Sequence, residues 1–123
     1  MSNECNKSLR LKRFEAATMA RKVASLETII QDFDSMAAAL SRQIMAEEQR
    51  TKVADVRHCN YSLVAVAAAA RRKKLMVSLA DLRAALEATK RDHAAAAAEV
   101  RDLEMALGVP TENANLAEPK SGL

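Results

Sequence analysis

A walk of alternating three- and four-residue steps from Leu9 lands on Leu9, Lys12, Ala16, Met19, Val23, Leu26, Ile30, Phe33, Ala37, Leu40, Ile44 and Glu47, and ten of these twelve are apolar. The same walk from Tyr61 lands on Tyr61, Ala65, Ala68, Arg72, Leu75, Leu79, Leu82, Leu86, Thr89, His93, Ala96, Val100, Leu103 and Leu107, of which eleven of fourteen fit. A heptad period held this long belongs to helices that pack along a narrow seam. It predicts an all-α chain with two long helices, about 8–50 and 61–107.

Composition supports the same class. Phe14, Phe33 and Tyr61 are the only aromatic residues among 123, too few for a compact globular core. Alanine runs at 67–70 and 94–98, Gly and Pro occurring only twice each, and abundant Leu, Arg, Lys and Glu all favour helix. Between the helices, Thr51–Asn60 breaks the period with β-branched and turn-forming residues. Asn60 is the first candidate for the N-cap of the second helix and Ser62 the second. Gly108 is a natural helix terminator with Pro110 behind it, and the polar, aperiodic 111–123 reads as a disordered tail.

Charge chooses how the helices meet. Residues 1–25 carry a net +4, 26–50 a net −3, 61–85 a net +4 and 86–110 a net −2. Folding back antiparallel sets opposite signs side by side, whereas a parallel homodimer sets +4 against +4. An antiparallel coiled-coil hairpin over 1–110 follows. Pairing positions whose numbers sum to 112 aligns Phe33 with Leu79, Ile30 with Leu82, Leu26 with Leu86 and Leu9 with Leu103. Alanine layers bury little area, so a marginally stable rod is expected, strongest through Leu26–Phe33 and Leu75–Leu86 and fraying near Ala94–Ala98.

No apolar run is long enough to span a membrane, and 1–13 lacks a signal-peptide core, which points to the cytoplasm. The hairpin also holds Cys5 and Cys59 too far apart for a disulfide. No phosphate loop, nucleophile elbow or zincin motif is present, and nothing suggests a catalytic residue or a cofactor. His58 and Cys59 supply two metal ligands where structural zinc wants four. His93, on the seam opposite Met19, reads as a core-edge imidazole.

Two basic clusters need a reading. Arg71, Arg72, Lys73 and Lys74 fit as the flank that complements 26–50. Lys7, Arg10, Lys12 and Arg13 crowd a helix start, where the dipole disfavours cations by about 0.3–1 kcal/mol each, and so suggest an acidic partner. A net charge of +3 that alternates in sign argues against nucleic acid, as does the lack of aromatic rings among these bases. An RNA-binding helical hairpin would bind with steep salt dependence.

The order and spacing of several segments resemble a known family. They are Leu9-Arg10-Leu11-Lys12-Arg13-Phe14-Glu15, then Ala24-Ser25-Leu26-Glu27-Thr28-Ile29-Ile30-Gln31-Asp32-Phe33-Asp34-Ser35-Met36-Ala37, and later Ala68-Ala69-Ala70-Arg71-Arg72 and Leu79-Ala80-Asp81-Leu82-Arg83. Over about residues 8–107 the chain resembles the flagellar export protein FliJ in its alphaproteobacterial form. The resemblance implies a non-enzymatic, cytoplasmic part of the flagellar type III export apparatus, used in flagellum biogenesis and reaching the inner membrane only through that apparatus. It implies three partners: the export ATPase ring, the cytoplasmic domain of the membrane export gate, and export chaperones. Leu9, Arg10, Lys12, Arg13 and Phe14 match the family's ATPase-facing end. The resemblance places the gate-facing residues on the second helix, with Tyr61, Arg71, Arg72 and Leu75 as the candidates. The alternative is a cytoplasmic coiled-coil adaptor unrelated to flagella.

Overall fold

The structure, a computed structural model, describes residues 3–109, with side chains from Glu4 onward. The tail expected to be disordered, 111–123, lies outside the described residues. Among these, all regular structure is helical: α1 spans Asn3–Thr51 and α2 spans Leu63–Leu107, and the two pack antiparallel. Both predicted helices are present. α1 begins five residues earlier than its seam suggested, because Cys5, four residues before Leu9, is half-buried and extends the apolar row. A cysteine packs as a small hydrophobe.

Every one of the 26 seam positions is buried or half-buried, including Lys12, Glu47 and Arg72. Two compact units divide the hairpin, and each has its own core. In the unit formed by 3–23 and 88–109, the deepest apolar residues are Leu9, Ala96 and Val100. In the unit formed by Ala24–Glu87 they are Ile30, Ala37, Tyr61, Ala65, Ala68 and Leu79. Leu79, Ala65 and Ala68 are at most 1% exposed, so alanine positions of the seam are covered as fully as its leucine. Cross-helix polar pairs fix the register within each unit. Their residue-number sums run from 109 for Ser62 with Glu47 to 117 for Arg13 with Glu104, bracketing the expected 112.

The connection is made of successive local bonds. α1 stops at Lys52, whose φ of 60° is left-handed, while the Thr51 hydroxyl donates to the Glu47 carbonyl at 2.9 Å and accepts from the Val53 N–H at 3.3 Å. Asp55 then closes a turn by accepting the Arg57 N–H on its side chain and the His58 N–H on its carbonyl, both at 3.0 Å. The Tyr61 N–H donates to the His58 carbonyl at 3.1 Å.

Asn60 does not cap α2. Its own N–H donates to His58 Nδ1 at 3.0 Å, which ties it into the turn. Ser62 is the cap: its hydroxyl accepts the Ala65 N–H at 3.2 Å, and its carbonyl accepts the Val66 N–H at 3.1 Å. At the far end Gly108 has φ +69°, its N–H donates to the Met105 carbonyl at 3.3 Å and the Val109 N–H donates to the Glu104 carbonyl at 3.0 Å. That paired pattern is the glycine stop expected at Gly108. Residues 94–98, expected to fray, are helical, and Ala96 is 9% exposed.

Candidate docking surfaces

The basic start of α1 divides between two faces. Leu9 points into the seam at 4% exposure. Lys12 follows it inward, and its Nζ lies 2.6 Å from Glu99 and 3.4 Å from Glu15. Those two carboxylates, Glu99 first, raise the Lys12 ammonium above its ordinary pKa. Arg13 bonds Glu104 at 2.9 Å, and the Glu104 side chain is only 1% exposed. Two of the four cations are therefore held by the opposing helix, as the facing +4 and −2 segments predict.

The other face is free of the seam. Lys7, Arg10, Leu11 and Phe14 recur at three- and four-residue intervals, so they stack on one side of α1, roughly opposite Leu9 and Ala16. Leu11 is 58% exposed and Phe14 64% exposed, with the exposed Lys7 and Arg10 beside them. Arg21 continues the face, with a guanidinium nitrogen donating to the Thr18 hydroxyl at 3.1 Å. An exposed ring and an exposed leucine flanked by cations form a surface suited to an acidic protein with an apolar spot.

Leu11 was not among the expected contact residues. The signal for it was present: an apolar residue off the seam, four after Lys7 and three before Phe14. The dipole argument for this cluster also changes. With α1 starting at Asn3, its first turn holds Glu4 and no base, and the dipole acts mainly within that turn. What distinguishes Lys7 and Arg10 is exposure beside apolar side chains.

The four residues expected to face the gate do not form one surface, and Tyr61 lies just before α2. Tyr61 is 9% exposed, and its hydroxyl donates to Glu48 at 2.7 Å, a bond that raises the phenol pKa. Arg72 turns toward α1 and donates to the Ser41 hydroxyl at 3.0 Å. Arg71 and Leu75 share an open groove of about 600 Å³ with Phe33, Met36, Leu40 and Lys74. At the connection, Glu47 accepts Ser62 Oγ at 2.7 Å and two nitrogens of Arg50 at 2.9 Å. The Arg50 bonds, followed by the Ser62 bond, hold the Glu47 carboxyl down to about 2.

Neither cysteine is in a disulfide, and among the described residues no three of His, Cys, Asp and Glu cluster as a metal site requires. No described helix is long and apolar enough to cross a membrane. Comparison with known proteins finds no matching family model, no matching curated protein and no matching solved structure.

Proposed function

We propose that this chain is a non-catalytic component of the flagellar type III export apparatus that docks on the export ATPase ring through the outward face of α1 at Lys7, Arg10, Leu11 and Phe14. The reading joins the FliJ resemblance to a helical hairpin whose first helix leaves an apolar and basic face exposed. The observation that carries it is the 64% exposure of Phe14 beside exposed cations, at the end the resemblance points to. Fully burying a ring of this size is favourable by about 1.5–3 kcal/mol, so Phe14 supplies affinity. Lys7 and Arg10 supply steering and orientation.

Leu9, Lys12 and Arg13 have a different task in this account. They hold the end of α1 against α2, so the exposed residues are presented on an already ordered helix, and less entropy is lost on docking. Contacts with the export gate and the chaperones belong to the same proposal, with no residues fixed for them.

Sedimentation of the purified chain with the flagellar export ATPase tests the proposal. Co-sedimentation that falls at least about tenfold in affinity for Phe14→Ser or Arg10→Glu is expected, since either change removes about 1.4 kcal/mol or more. If the wild-type chain and the ATPase sediment separately, the ATPase is not a partner, and the hairpin returns to an adaptor unrelated to flagella.

A further inference from the structure

The second surface rests on where acids are missing. Residues 35–46 of α1 contain no Asp or Glu, and residues 63–80 of α2 contain none either. Together they carry five cations: Arg42, Arg71, Arg72, Lys73 and Lys74. The two segments lie side by side in the Ala24–Glu87 unit, joined by the Arg72–Ser41 hydrogen bond. The acids of 26–50 sit to either side of the gap, at Glu27, Asp32 and Asp34 and at Glu47 and Glu48. Among the described residues, the unit's cross-helix ion pair is Asp34 with Arg83 at 2.8 Å, and no carboxylate pairs with Arg42 or with Arg71–Lys74. The run expected to complement the acidic flank of α1 instead faces alanine, leucine and serine.

An apolar groove runs through this basic belt. Phe33, Leu40 and Leu75 are half-buried in it, and Met36 is 49% exposed. Arg71 and Lys74, both exposed, stand at its edge. A hydrophobic trough between two helices accepts the apolar stripe of a third, read at i, i+3, i+4 and i+7. The cations beside the trough favour acids flanking that stripe and repel bases there.

We infer that the Phe33–Met36–Leu40–Leu75 groove, edged by Arg71 and Lys74, docks an amphipathic helix of another protein whose apolar stripe is flanked by Asp and Glu. A lipid surface fits less well, because three of the four apolar residues are recessed rather than projecting. Single-stranded nucleic acid fits less well too, because Phe33 is the lone ring available for base stacking. The inference is independent of the α1 end face and of the identity of its partner.

The test uses the full chain and two synthetic three-heptad helices that share one leucine stripe, flanked by Glu in one and by Lys in the other. Fluorescence anisotropy at low salt should show the Glu peptide binding at least about tenfold more tightly, a preference that weakens as salt is added. Arg71→Glu with Lys74→Glu should reverse the preference while leaving helicity unchanged, since neither side chain gives up an ion pair. With methyl-labelled methionine, the Glu peptide should shift the Met36 resonance and leave Met19 and Met105 in place. Equal affinities for the two peptides, or an unmoved Met36, would overturn the inference. So would tighter, reversal-sensitive binding to phosphatidylserine-containing vesicles or to a single-stranded RNA.

Discussion

The guanidinium of Arg13 bonds the carboxylate of Glu104 at 2.9 Å across 91 positions of sequence, and the Glu104 side chain is 1% exposed. An acid this deep is tolerated because a fixed cation faces it. Truncating Arg13 would leave a buried charge uncompensated, which typically costs about 3–5 kcal/mol. The low end applies here, since Arg13 itself is 29% exposed. Thermal unfolding followed by circular dichroism should therefore show a clear loss of stability for Arg13→Ala. The double variant Arg13→Met with Glu104→Leu should recover most of it. An Arg13→Ala chain as stable as wild type would mean that the pair does not hold this end together.

The left-handed Lys52 at the end of α1 is a point of local strain. A side chain in this conformation costs about 1–2 kcal/mol, partly offset by the greater entropy that glycine loses on folding. Lys52→Gly should thus stabilise the hairpin by about 0.5 kcal/mol, read as a higher urea midpoint with an unchanged slope. Lys52→Val should do the opposite. A lower midpoint for the glycine variant would show that the αL residue is not the strained element.

Acid should loosen the connection. Glu47 is held down to about 2 from its ordinary 4.5, chiefly by Arg50 and then by Ser62. A carboxyl depressed on folding contributes stability that is fully present above its unfolded pKa and is lost as pH falls through its folded one. The loss should therefore develop between pH 4.5 and about 2. The protection factor of the Ala65 amide, whose N–H bonds the Ser62 cap, should fall over this window in wild type once the intrinsic pH dependence of exchange is divided out. In Glu47→Gln protection should already be lower at pH 7 and change less on acidification. Identical pH profiles would remove Glu47 from the account of the connection.

Core and surface leucines of α2 should respond very differently. Leu79 has no exposed surface, so Leu79→Ala should destabilise by about 2–5 kcal/mol. Leu63 is 82% exposed, and Leu63→Ala should stay within about 0.5 kcal/mol of wild type. Urea titrations of the two variants check the seam directly, because a different buried face of α2 would exchange their sensitivities.

The helices and their seam were legible because heptad spacing is a local signal, and every seam position is shielded in the structure. Other features needed the third dimension. Glu104 sits one residue off the seam, and only its partner 91 residues away makes it an inside residue. Ser62 rather than Asn60 caps α2 because the turn closed by the Asn60 and Tyr61 N–H groups on His58 delays the helix start to Leu63, a tertiary detail that no cap preference encodes. Net charge summed over 25-residue blocks hid the acid-free gap opposite Arg71–Lys74, since five acids clustered at the block's two sides still averaged to −3. At the start of α1, sequence grouped Arg10 and Phe14 with Leu9, Lys12 and Arg13 as one contact set. Packing separates them, because residues two apart on a helix face different directions.

That separation makes the decisive variant available, since Arg10 and Phe14 can be changed without touching the Arg13–Glu104 pair. The most direct measurement is ATP hydrolysis by the flagellar export ATPase with added wild-type chain or with Arg10→Glu/Phe14→Ser, helicity being matched by circular dichroism. Hydrolysis that rises with the wild-type chain and stays at its basal rate with the variant is the predicted result. Equal stimulation by both chains, or none by the wild type, would contradict the proposed docking of this face on the ATPase.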